Sequence, residues 1–428
     1  MNILQINTRD LVGGAARVMY RLHLEFQRRG HTSHMLVRSR SSPNPQVQTI
    51  TAAVGRRGRW QRLERAISAR ADARLGTPRL HRSTKRILRT AQFQQAHVVN
   101  LHNLHGRYFN YHLLPALTAM KPTVWTLHDM WALTGHCAYA YDCERWKTGC
   151  SACPLLRGSG RQIVEPSATW LDRTFSIWRA KKRLYQRTKV HIVTPSYWLR
   201  DLVEESILSH ALSIQCIPNG VDLDTFVPIE QHLARYTLGL PTNGRVVLFV
   251  AEKVAAKRKG ATYLLEALSR LPDAASIILL TMGAGDVLSQ KPLHRFRLRN
   301  VGRLYDERLQ SVLYSAADLF VFPSLADNQP LVLIESLACG TPIVAFDTGG
   351  VSEMVRPGET GYLARSRDVD DLAHGIHTLL THDDLRAKMR RRCREIAEKE
   401  YSLSLQADRY LALYEQVIGE QHVTDHTP

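Results

Sequence analysis

Hydrophobic and polar positions along the chain fall into two alternating kinds of segment. Short, nearly unbroken apolar runs occur at Asn2–Ile6, Ser33–Val37, Ala96–Leu101, Pro122–Leu127, Lys189–Val193 and Ile214–Ile217. A second series follows at Arg245–Val250, Ile277–Leu280, Asp318–Phe322 and Ile343–Phe346. Between them lie longer stretches whose apolar residues recur every three or four positions, the helical period. Val18, Leu22, Leu24 and Phe26 are the apolar positions of one such segment and Gly30 ends it. Others run through Ser167–Thr188, from Thr194–Trp198, through Leu264, Leu265 and Leu268, from Leu331, and through Leu372, Ile376, Leu379 and Leu380. A final helix is expected over Leu405–Val417, with a frayed polar tail after Gly419. Apolar runs without alternation are strands buried on both faces, as in parallel sheets. Strand and helix in regular succession predict an α/β class with parallel sheets.

The alternation stops once, at Pro218-Asn-Gly-Val-Asp-Leu-Asp-Thr-Phe226, where Pro218 and Gly220 break structure. The expected organisation is therefore residues 1–220, residues 221–400, and a C-terminal segment 401–428 that packs back on the first domain. A chain of 428 residues with 44% hydrophobic content is long enough for two or three such cores. No apolar run approaches the roughly 18 residues of a membrane span. Met1–Asn7 turns polar too soon for a signal peptide and reads as a first strand. These features predict a cytoplasmic protein without internal repeats.

Charge changes the picture. The formal net charge is +18, and a protein this basic meets something anionic. From Arg56 to Arg89 twelve basic residues face only Glu64 and Asp72, with Trp60, Leu63, Ile67, Leu75, Leu80, Ile87 and Leu88 interleaved. Two amphipathic helices split at Gly76-Thr-Pro78 suit an anionic membrane surface. A solvated basic face is the plainer reading. Nucleic acid is not expected, since no zinc-finger, RNA-recognition or helix-turn-helix signature accompanies the charge.

Seven cysteines, an odd number, fit reduced thiols or a metal site better than a secreted disulfide framework. Four cluster as Cys137, Cys143, Cys150 and Cys153, ending in C-x2-C. Four thiolates at such spacing can close a structural zinc site, with His136 an alternative ligand. Disulfides or unlinked thiols remain the other readings.

Chemistry concentrates where the strands end. Gly13-Gly14 lies at a strand-to-helix junction, where glycine lets a ligand approach backbone N–H groups. His102-Asn103-Leu104-His105 and His128 end two further strands, placed as bases or hydrogen-bonding groups. Lys253 and Lys259, the latter followed by Gly260, suit a diphosphate. Asp327 sits in the polar loop after Phe322, and Glu335 one turn into the next helix. Each has a plain alternative: a turn, a packing histidine, a basic loop, a helix-capping Asp327 and a surface Glu335.

The stretch from Val321 to Met354 resembles the signature of retaining, nucleotide-sugar-dependent glycosyltransferases of family 4. Asp327, Glu335, Ala338, Cys339, Gly340, Thr341, Pro342 and Val344 match an acid-x7-Glu motif followed by C-G-T-P-[IV]-V, and Gly349, Gly350 and Glu353 continue it. Asp327 departs from the usual Glu, and its side chain is shorter by about 1.5 Å, roughly one C–C bond. Gly13-Gly14-Ala15, Thr126-Leu-His-Asp129, the hinge at Pro218 and Lys259-Gly260 match further motifs; Lys253 stands where Arg is usual. The pattern from Thr126 to Cys153 resembles a subgroup found in bacterial polysaccharide gene clusters.

The resemblance implies the GT-B fold, two Rossmann-like domains facing across a cleft. It implies a donor site of Gly14, Lys253, Lys259, Asp327, Asn328, Leu331, Val332 and Glu335, with His128, Asp327 and Lys259 nearest the reaction. Gly13, Gly14, His102 and Asn103 would face the acceptor, and Asn300–Leu304 the nucleotide base. The activity implied is transfer of a sugar from a nucleoside-diphosphate sugar to a glycan or polyprenyl-diphosphate-linked acceptor. Exopolysaccharide or lipopolysaccharide synthesis at the inner face of the cell membrane is the expected setting. No cofactor is required for catalysis on this reading. A non-catalytic membrane-associated binding module and an epimerase of the same fold are the alternatives. An epimerase needs a different carboxylate set, and the site residues above argue against a binding module.

Overall fold

The computed structural model describes residues 1–50, 67, 83–106, 108–157, 171–285 and 296–425. The expected pair of basic helices falls largely at 56–82, outside the described residues, as do residues 167–170 of the expected helical region.

The chain forms two compact units, residues 1–218 with 406–428, and residues 219–405. The first is built on seven strands: β1 (Asn2–Arg9), β2 (Thr32–Ser39), β3 (Val47–Thr49), β4 (Val98–Leu101), β5 (Thr123–Thr126), β6 (His191–Thr194) and β7 (Ser213–Cys216). They run parallel in the order β3-β2-β1-β4-β5-β6-β7. The second is built on six: β8 (Arg245–Lys253), β9 (Ile277–Ala284), β10 (Arg297–Asn300), β11 (Leu319–Phe322), β12 (Ile343–Phe346) and β13 (Gly361–Ala364). These too are parallel, in the order β10-β9-β8-β11-β12-β13.

The strand runs form because their apolar side chains are covered on both faces. All four residues of β4, β5, β6, β11 and β12 are buried. The helix Gly14–Arg28 buries Ala16, Val18, Met19, Leu22 and Phe26 along one stripe. Enclosing Phe26 alone is worth about 2–3 kcal/mol. The helix Leu331–Ala338 is buried almost all round, as a helix with no charged residue but Glu335 must be. In each unit the strand order reverses direction beside the first strand, between β1 and β4 and between β8 and β11. Ligands of open parallel sheets bind outside the carboxyl ends of the strands at such points.

Three strands, β3, β10 and β13, have no apolar run to announce them; β13 begins with glycine and is only four residues long. β9 extends beyond its apolar run through Thr281–Ala284, because the backbone of Thr281 and Gly283 pairs with Val301 and Gly302. The last helix runs Leu403–Asp425, well past Gly419. Along it Gln416 donates to Glu420 at 2.8 Å, one turn on. Asn100 and Thr126, in β4 and β5, bond the hydroxyls of Tyr414 and Tyr410 on that helix at 2.7 and 3.0 Å.

Candidate active site

In the second unit the site grows from the loop after β11. Gly260 has φ +71, and a Cβ there would lie 1.8 Å from the carbonyl oxygen of Pro323. Only glycine lets the turn Lys257–Lys259 close on this loop. Leu325 N–H then donates to Arg258 O at 2.8 Å, stapling the two together. Three donors consequently converge on one carboxylate oxygen. Lys259 Nζ lies 2.6 Å, Arg258 Nη1 3.0 Å and Ser324 Oγ 3.0 Å from Asp327 Oδ2. Arg258 Nη1 also donates to Ala326 O at 2.8 Å. Among the described residues, Oδ1 of Asp327 takes none of these bonds. Burial alone would push the Asp327 carboxyl up; the charge of Lys259, then Arg258, holds it below its ordinary value.

Asp327 is not a cap: the helix Leu331–Ala338 is preceded by Pro330 and has no side-chain cap bond. Its N-terminal N–H groups thus face the loop uncapped by any side chain, the arrangement that favours anions. Glu335 is not a surface acid either. It is fully enclosed, and its Oε2 accepts from Tyr314 OH at 3.2 Å. Asn328 and Leu331 are buried, whereas Val332 is half-buried. Lys253 ends β8 exposed, and among the described residues it makes no ion pair. The cation beside Lys259 on Asp327 is Arg258, which the sequence reading passed over. Its signal in the sequence is the run Lys257-Arg258-Lys259 before Gly260.

In the first unit the polar residues line the ends of β1, β4 and β5. Gly13 has φ +99 and is followed by Gly14, the exposed first residue of its helix; a Cβ at either would meet nothing within 4 Å. The loop after β4 is pinned by Thr8, whose hydroxyl reaches the carbonyls of Asn103 and His105 at 3.2 and 3.0 Å. Tyr108 OH donates to Asn103 O at 2.7 Å and Trp125 Nε1 to His102 O at 3.0 Å. His102 and His128 stack with ring centroids 5.2 Å apart, and Nδ1 of the first lies 2.9 Å from Nε2 of the second. His102 is buried, and its other nitrogen meets Gln5 at 3.3 Å. Burial pushes the His128 imidazole down to about 4; Asp129 opposes this and His105 adds to it. His105 Nε2 meets Asp129 Oδ2 at 2.9 Å, and Asp129 Oδ1 caps the turn at Trp131. Burial raises the Asp129 carboxyl, but the charge and hydrogen bond of His105 outweigh it and leave it low.

The zinc expectation finds no support among the described residues. Cys137, Cys143, Cys150 and Cys153 line one small cavity with His136 and Trp146. Among the described residues, however, no three His, Cys, Asp or Glu side chains are placed to hold a metal, and all seven cysteines are free thiols. Burial pushes the Cys150 thiol up to about 11 and the Cys137 thiol further. As neutral thiols they pack like small apolar side chains. Hydrogen bonds brace the loop instead. Lys181 Nζ reaches Thr134 O at 2.9 Å, Trp178 Nε1 reaches Trp146 O at 2.7 Å, and Cys153 N reaches Asp172 at 2.7 Å.

Two family models match. One, described as Glycosyltransferase Family 4, spans residues 12–225, half of the chain. The chain belongs to this family. A second model, described as Glycosyl transferases group 1, spans residues 244–382, so both halves of a family 4 glycosyltransferase are covered. WcaC of Escherichia coli (strain K12), named for colanic acid biosynthesis, is 28% identical over 376 residues, 83% of this chain and 85% of its own. A D-inositol 3-phosphate glycosyltransferase of Mycobacterium sp. (strain JLS) is 32% identical over 69% of this chain and 64% of its own length. Among solved structures, sucrose-phosphate synthase from Thermosynechococcus elongatus superposes with a TM-score of 0.70 at 19% identity, covering 98% of this chain and 99% of its own. WaaG, described as a glycosyltransferase involved in lipopolysaccharide biosynthesis, gives 0.64 at 16%, covering 95% and 98%. Anabaena HepE in complex with UDP-glucose gives 0.64 at 16%, covering 99% of each. These likenesses show the GT-B fold.

Proposed function

We propose that this glycosyltransferase moves a sugar from a nucleoside-diphosphate sugar to a glycan or polyprenyl-diphosphate-linked acceptor, with retention at the anomeric carbon. The observation that carries the reading is the convergence of Lys259, Arg258 and Ser324 on Asp327 beside an uncapped helix N-terminus. Two cations against one carboxylate leave a positive pole for a diphosphate, while Oδ1 of Asp327 is placed for sugar hydroxyls. The C1–O bond to the diphosphate breaks, the acceptor hydroxyl oxygen bonds to C1 on the same face, and its proton leaves on the diphosphate. Lys259 and Arg258 stabilise the charge that develops there. Exposed Lys253 adds to the field as a point charge, without an arginine's bidentate fork. The backbone at Asn328, Leu331 and Val332 completes the phosphate side. Glu335 takes the ribose hydroxyls; because it is enclosed, the side chains that cover it must move to admit them. To the acceptor we assign Gly13, Gly14, His102 and Asn103, and to the reacting sugar His128.

HepE, a relative in fold, has been solved with UDP and with UDP-glucose, which makes UDP-sugars the first donors to try. WcaC and WaaG are named for colanic acid and lipopolysaccharide, which supports a bacterial surface polysaccharide as the product. Among the described residues no helix is long and apolar enough to cross a membrane. The basic segment from Arg56 to Arg89 suits peripheral contact with an anionic inner-membrane face. The test is release and transfer of sugar from a panel of UDP-, GDP- and ADP-sugars. The reading expects turnover of at least one, and its loss in Lys259→Ala and Glu335→Ala. Unchanged turnover in both variants would sink the role assignments.

A further inference from the structure

One face of the first unit's sheet carries a continuous line of polar side chains. Asn44 Nδ2 meets His23 Nε2 at 3.2 Å, and His23 Nδ1 meets Ser33 Oγ at 2.8 Å. The two ends of the Gln5 carboxamide lie 3.4 Å from Ser33 Oγ and 3.3 Å from His102 Nε2. His102 Nδ1 then meets His128 Nε2 at 2.9 Å. The line steps from β2 (Ser33) to β1 (Gln5) and on past the ends of β4 and β5. Gln5, His23, Ser33 and His102 are all buried.

Proton counting fixes the direction of this line. Backbone N–H of Gln46 donates to Asn44 Oδ1 at 3.0 Å, so Asn44 presents its NH2 to His23. His23 Nε2 must therefore accept, and its proton sits on Nδ1 and is given to Ser33. Ser33 has one proton of its own, and among the described residues its hydroxyl meets only His23 and Gln5. As placed, the Gln5 nitrogen faces Ser33, which leaves that buried proton without an acceptor. Carboxamide oxygen and nitrogen are interchangeable in shape and are assigned by their partners. Turning the carboxamide over gives the Ser33 proton an acceptor and presents an N–H to His102 Nε2. The second amide proton is unmatched in both orientations and does not discriminate. A buried hydroxyl left unpaired costs about 1–3 kcal/mol, which decides the orientation.

We propose that Gln5 is a positioning residue that fixes the tautomer of His128 through His102. With Gln5 donating, His102 Nε2 is bare and its Nδ1–H donates to His128 Nε2. His128 then carries its proton on Nδ1. Every donor points the same way along the line, from Asn44 to His128. Burial keeps the histidines neutral: His23 is pushed down to about 4, and His102 is held low by burial and by His128. Among the described residues, His102, His105 and Asp129 face His128. The consequence for transfer rests on the role proposed for His128 above. A ring locked as a neutral Nδ1–H donor can offer a hydrogen to a sugar oxygen without charging.

The test is a long-range 1H–15N correlation spectrum of full-length protein labelled with 15N-histidine, with resonances assigned by single His→Gln variants. His23, His102 and His128 should each appear as the Nδ1–H tautomer. In Gln5→Leu, and in the closer-fitting Gln5→Met, His128 should populate both tautomers while the melting curve still shows a cooperative fold. An Nε2–H signal for His128 in the wild type overturns the proposal. So does an unchanged His128 signal in a folded Gln5 variant. If the tautomers are as stated but His128→Ala transfers sugar at the wild-type rate, the proposed role of His128 falls and the Gln5 assignment stands.

Discussion

Replacing Asp327 with Asn keeps the side chain's shape and removes its charge. Oδ2 lies 2.6 Å from Lys259 and 3.0 Å from Arg258. At an effective dielectric of about 20, a unit pair 4 Å apart attracts by about 4 kcal/mol, before the cost of desolvating both groups. Deleting one partner of a buried pair costs about 3–5 kcal/mol. Here the side chains keep 10–19% exposure, which places the loss lower, at about 2–3 kcal/mol. A unit of this size shifts by about 2–4 °C per kcal/mol, so the second unit should melt about 4–12 °C lower. Diphosphate binding should respond the other way. The two cations released from the carboxylate become available, so UDP should bind the variant at least as tightly as the wild type and recover more of the lost melting temperature. Transfer should fall about 100-fold, the usual scale for losing one preorganised electrostatic contact. The folded carboxyl is held below its unfolded value of about 3.9. Its contribution is therefore present above that pH and lost as pH falls through the lower, folded value. The gap between wild type and variant should be flat from about pH 8 to 5 and close only in more acid solution. Differential scanning fluorimetry with and without nucleotide, and isothermal titration calorimetry, read all of this. Equal melting temperatures would refute the ion cluster. Nucleotide affinity at least tenfold weaker in Asp327→Asn would refute the competition between carboxylate and diphosphate.

Gly14→Ala should leave stability level or raise it by about 0.4–1 kcal/mol, since the added methyl meets nothing within 4 Å. Sugar transfer should nevertheless fall if a ligand uses that space, which an activity assay beside a melting curve separates. Arg258→Ala should weaken nucleotide binding more than Lys253→Ala, because Arg258 sits on Asp327 whereas Lys253 ends its strand exposed; calorimetry gives the order. Gly260→Ala should destabilise by at least about 2 kcal/mol, because φ +71 and a Cβ 1.8 Å from Pro323 O force the turn apart; chemical denaturation measures it. His23, lowered to about 4 by burial and by His34, binds fewer protons folded than unfolded. Stability should therefore fall as pH drops from about 6.5 towards 4, by up to about 1.4 kcal/mol per unit. His23→Gln should make that slope shallower in a series of melting temperatures.

Much of the fold was legible because long, doubly covered strands announce themselves. Leu319–Phe322 and Ile343–Phe346 read as apolar runs, and the helix between them lies where its pattern put it. β13 was not legible, because a four-residue strand that opens with glycine carries no pattern of its own. It exists by pairing with β12. At the site, Asp327 and Glu335 stood out by spacing, but burial and bonding had to be seen before the cap and surface readings could be set aside. Arg258 was hidden by its neighbours, since three consecutive cations look alike in sequence and only the turn at Gly260 decides which point inward. The four cysteines are the opposite case. Their spacing matches a metal site and they line one cavity, yet spacing does not dictate ligand geometry: among the described residues no three of them are placed to hold a metal, and Lys181, Trp178 and Asp172 brace the loop.

The most direct test of the donor site is the melting temperature of the intact protein with UDP, GDP or ADP, in wild type and in Lys259→Ala. A ligand at 100 times its dissociation constant adds about 2.7 kcal/mol, or roughly 5–11 °C for a unit of this size. At least one nucleotide should raise the wild type by that amount and leave Lys259→Ala nearly unmoved. No shift with any of the three, or the same shift in both proteins, would contradict a diphosphate held at Lys259, Arg258 and Asp327.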